Sequence, residues 1–532
     1  MTRRDEGILT IASSRAKRLD TGLIECLLNP EAYPHPTQSI EMIETHISWV
    51  FLTGPFAYKL KKPVKLGFLD FRTLDSRLFF CQEELRLNQA WAPEIYIDVV
   101  PITATAGQAL VDGDGPAIDY AVRMHQFGQD QRLDLQLDAN KLSDDDMDEL
   151  ANNTARQHRS THVTGPAGRD EKLTHIKDDM WDNLDALEGQ PAAKTLHNLR
   201  QWTARQLGKL EPVLQQRFDD GFVRECHGDL HLSNLVRLPG GITAFDCIEF
   251  GAEFRNIDVM SDIAFLVMDL VSRQRSDLAY RFLNRYLELT GDYGSMEVFT
   301  LYFVYRCLVR AKVAAIRSQE RKHHNEAKSD LSKVRKYCEM ALRQTQQQAP
   351  TLIAMHGLSG SGKTWLSSKL VSALPAIRVR SDIERKRMSD LDERADSGSG
   401  VAQSIYSEAV NRDTYDQLHA IGEIVLDAGH SIIVDASYLK FADRDDARKL
   451  AAHCGSQYIL VQTCASDETL RQRIRKRSNL GDDASEAGLD VLQYQQRHAE
   501  QLTAAELHSA LRICTDDDND ITSLAGRIRN NA

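Results

Sequence analysis

The nine cysteines of the 532-residue chain lack the spacing of a disulfide or zinc framework. They are odd in number and widely scattered, and no two form a CxxC pair. This usage predicts reduced thiols, as in a cytosolic protein. The chain also has no run approaching about 18 apolar residues, and its amino terminus has no apolar core long enough for a signal peptide. We therefore expect a cytoplasmic protein that does not span a membrane.

An excess of positive charge is also missing. The chain carries 65 basic and 77 acidic residues, and the resulting net charge of −12 argues against a general nucleic-acid binder. Its hydrophobic content of 42% and charged content of 27% are ordinary for a globular protein. A chain of this length is too long for one core, so we expect more than one domain.

Residues 226–250 contain three polar side chains in a fixed order, namely Asp229, Asn234 and Asp246. The intervening pattern predicts a β-hairpin, with strands at 235–238 and 242–245 and a Pro-Gly-Gly turn between them. Such a hairpin brings the loop before its first strand close to the residue that ends its second strand. One carboxylate can then act on a hydroxyl while an amide and a second carboxylate hold a divalent ion, as in a kinase catalytic loop.

A lysine and an acid upstream fit the same chemistry. Residues 47–53 and 57–61 read as two strands, and the second carries Lys59. A helix at 74–90 follows, and its Glu84 would orient Lys59 toward nucleotide phosphates. The alternative is a solvated pair, because no glycine-rich loop fixes the register.

The rest of the first part changes from strands to helices. Residues 94–101 and 117–123 predict further strands of the same sheet, and residues 141–345 are mainly helical in pattern. The glutamine-rich stretch 343–350 ends in proline and is typical of a linker. We place a domain boundary there.

A second nucleotide motif follows this linker. A strand at 351–356 leads into GLSGSGKT at 357–364, which matches GxxxxGK[ST] in full, and an amphipathic helix is expected at 365–374. Glycines let successive backbone N–H groups point at phosphate oxygens, and the helix amino terminus adds positive potential. Lys363 would reach the β and γ phosphates, and Thr364 would ligate magnesium. The predicted nucleotide-binding residues of this motif are Gly357, Ser359, Gly360, Ser361, Gly362, Lys363 and Thr364.

Two acids follow strands of the second part. Asp382 comes just after the strand 376–380, at the carboxyl edge of a parallel sheet, where it could receive a proton from an acceptor hydroxyl. It can also cap the next helix, and the two roles are compatible. Asp435 follows the strand 431–434 and is placed like a Walker B carboxylate that contacts magnesium.

Arginines on a basic helix at 469–477 complete the pattern, after a strand at 458–463. We expect Arg473 and Arg477 to close over the phosphates, although a charged surface helix explains any single arginine equally well. Residues 390–404 are polar and contain serine and glycine, which predicts a mobile loop near the acceptor.

The motifs HGDLHLSN (227–234) and FDCIEF (245–250) resemble those of the aminoglycoside phosphotransferase-like kinases, whose catalytic loop has the form HGDxxxxN and is followed by a metal-binding Asp. The resemblance covers roughly residues 40–340. It implies Asp229 as the catalytic base, with Asn234 and Asp246 as magnesium ligands. The second half resembles small P-loop kinases of the gluconate-kinase, polynucleotide-kinase and zeta-toxin type. Both halves in this order resemble the bacterial bifunctional aminoglycoside phosphotransferase/ATP-binding proteins.

These resemblances imply an α+β protein-kinase-like bilobal domain at 1–345, followed by an α/β P-loop NTPase domain with a parallel sheet at 350–532. They imply ATP and Mg²⁺ as cofactors and transfer of the γ-phosphoryl group to a small-molecule hydroxyl. The acidic pocket that aminoglycoside enzymes use is not recognisable, and Glu249, Glu253 and Asp258 are candidates for it. Two alternatives stay open. One domain could be a nucleotide switch for the other, or a toxin-like P-loop kinase could be fused to a neutralising kinase-like domain.

Overall fold

A computed structural model describes most of the chain. The described residues are 22–66, 69–105, 108–165, 168–320, 324–346, 349–391, 408–480, 485, 487–517 and 520–531. They divide into two compact units, and the chain passes between these units several times. The first unit comprises the described residues up to Leu142, together with Gln157–Thr164 and Val223–Ile257. The second comprises Ser143–Arg156, Gly165–Phe222 and the described residues from Asp258 onward. No described helix is both long and apolar enough to cross a membrane.

Both strands and helices occur in each of the two units. The strands are β1 Glu41–Glu44, β2 Ser48–Leu52, β3 Phe56–Lys61, β4 Lys65–Leu66, β5 Leu69–Asp70, β6 Tyr96–Thr105, β7 Gln108–Val111, β8 Ala117–His125, β9 Val223–Glu225, β10 Leu235–Leu238, β11 Gly241–Ala244, β12 Asn256–Asp258, β13 Thr351–His356, β14 Ala376–Arg380, β15 Ser431–Asp435, β16 Gln457–Cys464 and β17 Leu511–Cys514.

The helices are α1 (22–27), α2 Leu74–Trp91, α3 Leu133–Asp138, α4 Asp144–Ser160, α5 Arg169–Asp185, α6 Ala193–Asp219, α7 Ala252–Arg255, α8 Val259–Ser272, α9 Ser276–Thr290, α10 Met296–Glu320, α11 His324–Thr345, α12 Lys363–Ala373, α13 Ser381–Met388, α14 Glu408–Asp427, α15 Phe441–His453, α16 Asp467–Leu480, α17 Leu489–His498, α18 Ala504–Ser509 and α19 Ile521–Asn531. Single 3₁₀ turns lie at Pro30–Ala32, Gln129–Gln131, Leu232–Asn234 and Tyr293–Ser295.

The first unit is built on a six-stranded antiparallel sheet in the order β1-β2-β3-β8-β6-β7. The strands predicted around 47–53, 57–61, 94–101 and 117–123 all belong to it. Strand β3 lies between β2 and β8, its successive side chains point to opposite faces of the sheet, and five of its six residues are buried. Tyr58 and Leu60 are fully buried and pack against Phe51 and Ile102. Lys59 and Lys61, two residues apart, share the opposite face.

The second unit contains a helical part and a five-stranded parallel sheet. The sheet order is β14-β15-β13-β16-β17, so the five strands, numbered as they occur in the chain, run second, third, first, fourth, fifth. All six residues of β13 are buried, as expected for a strand whose sheet is covered on both faces. The expected strands at 351–356, 376–380, 431–434 and 458–463 are therefore confirmed.

The predicted linker begins inside a helix, because α11 continues to Thr345. The compact units divide at other points of the chain, and the boundary near 345–350 stays a prediction about the two sequence segments. Most of the loop expected at 390–404 lies outside the described residues.

Candidate active sites

The first candidate site is organised by the predicted hairpin, which forms from β10 and β11 with Leu235 opposite Ala244 and Leu238 opposite Gly241. The second strand lies one residue earlier than expected. Beyond the open end of the hairpin, the Phe245 N–H donates to the Asn234 carbonyl at 3.0 Å. The next residue, Asp246, has a φ of 67°, which is uncommon for a side-chain-bearing residue and typical of a specialised position. The hairpin thus places Asp246 next to the loop that ends at Asn234.

The loop before the hairpin holds the carboxylate of Asp229. The Asn234 amide nitrogen donates to Asp229 Oδ2 at 2.9 Å and also lies 3.1 Å from the Asp229 carbonyl oxygen. His231 Nε2 lies 3.3 Å from the same carboxylate oxygen. The Asp229 side chain remains 37% exposed, so it can meet a hydroxyl group from outside. Because its nitrogen faces Asp229, Asn234 has its carbonyl oxygen left for a cation.

His227 fixes the direction of this loop. Its Nε2 contacts the Phe245 carbonyl oxygen at 2.9 Å, and its Nδ1 lies 3.3 Å from the Asp229 N–H. A carbonyl only accepts and an N–H only donates, so the imidazole carries its proton on Nε2. Trp91 packs edge-on against the ring at 5.4 Å between centroids. The histidine therefore joins the two ends of the hairpin region and is not itself exposed to an acceptor.

The structure also brings together the lysine and the acid predicted upstream. Lys59 Nζ lies 2.8 Å from Glu84 Oε1 and forms a second ion pair with Asp246. Burial disfavours the Lys59 ammonium, but the charges of Asp246, Glu84 and Glu249 outweigh it and hold the pKa of Lys59 well above its usual range. The lysine is therefore a permanent cation beside the predicted metal ligand.

A second lysine, Lys61, and a second acid, Glu249, extend this cluster. Sequence reasoning assigned no role to Lys61 and considered Glu249 only as a candidate for the acidic acceptor pocket. Lys61 is fully buried and pairs with both Glu84 and Glu249. Burial on its own would raise the pKa of Glu84, but Lys59 and Lys61 lower it to about 2. Burial raises the pKa of Glu249 instead, and Lys61 only partly opposes this effect. The sequence did contain a signal for Lys61, because a lysine two residues from Lys59 on the same strand lies on the same face of the sheet.

Helix α2 supplies the partners for these groups from one buried stripe. Its side chains at intervals of three and four residues are buried, and Glu84, Asn88 and Trp91 among them face the site. Asn88 Oδ1 accepts the Cys247 N–H at 2.9 Å, and the Trp91 carbonyl accepts the Thr243 hydroxyl at 2.6 Å. Glu83, one position away, instead contacts Arg86 and Arg255. The helix period therefore selects Glu84 over Glu83.

Two of the three candidates for an acidic acceptor pocket have cationic partners inside the protein. Glu249 pairs with Lys61, as described above. Asp258 accepts two hydrogen bonds from Arg217, at 2.7 and 2.8 Å, and also caps helix α8. Arg217 contacts Asp292 as well, and all three side chains are buried. Neither Glu249 nor Asp258 is thus available to a cationic acceptor.

The second candidate site is the loop at 357–364 between β13 and α12. Gly357 and Gly360 have φ values of 154° and 81°, and a Cβ added to them would lie 2.7 Å from the Thr463 carbonyl and 2.8 Å from the Leu470 carbonyl. The loop therefore requires glycine at both positions. Lys363 Nζ donates to the carbonyls of Gly357 and Leu358 at 2.9 and 3.0 Å, so its ammonium lies across the loop.

The sheet order brings Asp382 and Asp435 to the same edge as this loop. Arg380, the last residue of β14, is in register with Asp435, the last residue of β15. Asp435 is buried and accepts the Ser367 hydroxyl at 2.8 Å. Arg385 donates to Asp382 at 2.8 Å. Burial would raise the pKa of Asp382, but Arg385 and further nearby donors lower it, so this carboxylate is charged at neutral pH.

The predicted lid arginines reach the loop from helix α16. Arg473 donates to the Gly360 carbonyl at 3.3 Å and to Thr515 Oγ1 at 2.7 Å, and so braces the loop against the end of β17. Arg477 donates to Ser359 Oγ at 3.2 Å. The Ser359 N–H donates to Gln495 Oε1 at 2.7 Å, a contact that no sequence motif indicated. Ser361 Oγ lies 2.7 Å from Thr463 Oγ1.

Both sites offer the oxygen ligands that magnesium prefers. In the first site these are the carboxylate of Asp246, which is 43% exposed, and the carbonyl oxygen of Asn234. In the second they are the hydroxyl of Thr364 in the first turn of α12 and the carboxylate of Asp435. The residues present therefore fit a divalent cation at each site.

Two protein families match the chain. Residues 83–299 match the phosphotransferase enzyme family, and residues 352–502 match the AAA domain family. The first match includes the hairpin site and begins just before Glu84, so Lys59 lies outside it. The second includes the glycine-rich loop, both acids and both arginines of the second site.

Individual proteins resemble the chain over different lengths. An uncharacterized protein of Mycobacterium tuberculosis is 26% identical over 450 residues, which cover 84% of this chain and 88% of the relative. An ethanolamine kinase of Plasmodium vivax is 12% identical, covers 58% of this chain and 84% of its own, and has a TM-score of 0.36. A putative kinase of Chloroflexus aurantiacus is 23% identical, covers 35% of this chain and 100% of its own, and has a TM-score of 0.28. The chain thus carries one segment, 83–299, that matches the phosphotransferase enzyme family and another, 352–502, that matches the AAA domain family, and both matches are consistent with an ATP-dependent kinase.

Proposed function

We propose that the protein is an ATP-dependent phosphotransferase with two nucleotide sites, each of which transfers the γ-phosphoryl group to a hydroxyl of a small molecule. The observation that carries the proposal is the contact set of Asp229. Its half-exposed carboxylate is held at 2.9 Å by Asn234, on the loop whose hairpin returns Asp246 to Lys59. This arrangement supports the assignment of a base, a metal-ligand set and a phosphate-binding cation to one site, as phosphoryl transfer requires.

In the first site Asp229 is the base. It takes the proton of the acceptor hydroxyl while the new O–P bond forms and the bond from the γ phosphorus to the bridging oxygen of ADP breaks. Lys59, oriented by Glu84, binds the phosphates of ATP. Asn234 and Asp246 would hold Mg²⁺, which when bound neutralises charge on the phosphate oxygens. His227 keeps Asp229 directed at the acceptor.

In the second site the backbone amides of 357–364 and Lys363 bind the phosphates. Asp382 is the base, and its lowered pKa keeps it deprotonated at neutral pH. Thr364 and Asp435 would hold the metal ion. Arg477, which contacts Ser359 of the loop from helix α16, is assigned to the phosphates, while Arg473 supports the loop. Arg380 and Arg385 surround Asp382 and favour an acceptor with negative charge.

The decisive experiment incubates the full chain and ATP with a metabolite extract and identifies phosphorylated products by mass spectrometry. Asp229→Asn and Lys363→Ala are compared with Asp220→Asn and Lys369→Ala, which change exposed residues outside the sites. We expect each of the first two variants to lose a different product, and both controls to keep all products. If Asp229→Asn keeps every product and all ATP turnover, the first site is not catalytic.

The same comparison separates the proposal from the two alternatives. A switch role for the P-loop segment predicts that Lys363→Ala changes only the rate of the product made by the first site. A toxin-like role predicts growth arrest when residues 345–532 are expressed alone, in a fragment first shown to keep strand β14 protected from hydrogen exchange. A product that depends on Lys363 and is independent of Asp229 would contradict the switch role.

A further inference from the structure

Helix α9 covers the edge of the parallel sheet with a polar contact. The amide nitrogen of Asn284 donates to the Ala376 carbonyl at 3.0 Å, and the Arg378 N–H donates back to Asn284 Oδ1. Asn284 is buried. Its carboxamide therefore takes the place of a neighbouring strand along β14, the edge strand of the sheet. This contact fixes α9, which lies within the phosphotransferase match, against the P-loop sheet.

One helical turn further along, α9 presents a carboxylate to the same strand. Glu288 Oε1 accepts from Arg378 Nε at 3.0 Å and from a terminal guanidinium nitrogen at 2.7 Å. Glu288 is 3% and Arg378 is 8% exposed, so water screens this pair poorly. Arg285 also lies 3.8 Å from the second Glu288 oxygen. The carboxylate of Glu288 on α9 therefore balances the positive charge of Arg378.

Arg378 is also linked, through one hydroxyl group, to Asp435, the proposed metal ligand of the second site. Its second terminal nitrogen lies 3.4 Å from Ser367 Oγ, and that hydroxyl donates to Asp435 Oδ2 at 2.8 Å. The Thr364 carbonyl lies 3.1 Å from the same hydroxyl, but one proton serves one acceptor best, and the charged oxygen is the closer one. A single hydroxyl group thus separates the guanidinium from the carboxylate of Asp435.

We propose that Glu288 is a positioning residue for the second site. By binding Arg378 it keeps the guanidinium from pairing with Asp435, and it leaves that carboxylate oriented by Ser367 and available to Mg²⁺. The inference rests on the proposed function of 357–364 and Asp435. It makes the metal affinity of the P-loop site depend on a side chain supplied by the phosphotransferase segment.

The test measures how nucleotide binding depends on Mg²⁺ at this site alone. Trp365 directly follows the loop and is 48% exposed, so energy transfer from it to N-methylanthraniloyl-ADP reports binding there. Trp365→Phe supplies the blank. The quantity compared is the Mg²⁺ concentration that gives half of the full increase in affinity for N-methylanthraniloyl-ADP. It is measured for the full-length wild type, Glu288→Gln and the double variant Glu288→Gln/Arg378→Met. The matched control is Glu297→Gln, which changes an exposed glutamate at the start of α10.

We expect Glu288→Gln to require about tenfold more Mg²⁺, with binding in EDTA unchanged, because Arg378 then pairs with Asp435. Removing Arg378 as well should return the requirement to within about twofold of the wild type. A general loss of packing would make the double variant worse, not better. A double variant as impaired as the single one, or a single variant equal to Glu297→Gln, overturns the proposal.

Ser367→Ala is the second arm and is used if Glu288→Gln does not fold. It removes only a hydroxyl and should also raise the Mg²⁺ requirement several-fold. An unchanged requirement would show that the chain of contacts does not reach Asp435. If the wild type gives no energy transfer, or if Lys363→Ala leaves it intact, the proposed nucleotide site itself fails, which is a distinct outcome.

Discussion

Replacing Lys61 by methionine is expected to destabilise the first compact unit by about 3–5 kcal/mol, the cost of breaking a buried ion pair from one side. Lys61 is fully buried, and methionine fills a similar volume, so the change removes mainly charge. Glu84 shows what the lysines contribute. Together with Lys59, Lys61 lowers the Glu84 pKa from 4.5 to about 2, which corresponds to roughly 3 kcal/mol at neutral pH. Glu249 has no other ion-pair partner within 4 Å among the described residues.

The assay measures hydrogen exchange of the β3 amides at increasing denaturant concentrations, which gives the free energy of unfolding of the first unit. A local probe is needed because a chain with two compact units need not unfold in one step. The matched control is Lys62→Met. Lys62 is adjacent in sequence and pairs with Glu44, whose side chain is 58% exposed, so the loss should be at most about 1 kcal/mol. Lys61→Met/Glu249→Gln should recover most of the loss, because no unpaired charge is then left. Equal losses for the two lysines would refute the reasoning.

The pH dependence of Lys61→Met has a definite sign. Burial already raises the Glu249 pKa in the folded protein, and losing Lys61 raises it further. A carboxyl group with a raised folded pKa contributes its full stability below its unfolded pKa and loses it as the pH rises through the folded value. The deficit of Lys61→Met should therefore be smaller at about pH 5 than at about pH 8. A deficit that grows toward acid would contradict this assignment.

Three further predictions concern single contacts. His227→Gln should lower kcat of the first site by about 10- to 100-fold with the ATP affinity unchanged, measured by steady-state kinetics, because the loop loses its direction and not its phosphate contacts. Arg385→Gln removes the largest charge that lowers the Asp382 pKa, so the acid limb of the second activity should move up by about one pH unit in a pH–rate profile. Arg217→Met should cost about 3–5 kcal/mol in a denaturant titration, with partial rescue by Asp292→Asn, because it leaves two buried carboxylates unpaired.

Much of each site was predictable from sequence because its residues lie close together in the chain. The hairpin at 235–244 has strong turn chemistry, so the approach of Asp246 to Asn234 follows from local rules. The glycine-rich loop lies between a strand and a helix, and its glycines are required by φ and by close backbone contacts. Asp382 and Asp435 lie at the carboxyl ends of strands of a parallel sheet, and these ends share one edge.

Residues whose partners lie far along the chain were not predictable in the same way. Glu249 meets Lys61 across 188 positions, and Gln495 meets the Ser359 N–H across 136. Arg378 looks like an ordinary strand residue, because its role depends on Glu288, which lies 90 positions earlier. Sequence periodicity predicts that a side chain lies on a buried face. Which charged side chain packs against it is known only from the three-dimensional structure.

The contacts of Asn284 and Glu288 also bear on how the two family segments work together. The phosphotransferase match ends at 299 and the AAA match begins at 352, so α9 belongs to the first by sequence. Yet α9 and the parallel sheet lie in one compact unit, and the polar groups of β14 that face α9 are satisfied by that helix. Buried polar groups left without partners cost free energy, so residues 350–532 alone lack groups that their own edge strand requires. A fragment that begins at the linker therefore differs in its folded state from the P-loop segment of the full chain. Its amides in β14 should first be shown to be protected from hydrogen exchange. Only then does an absence of activity or toxicity in the fragment count against the second site.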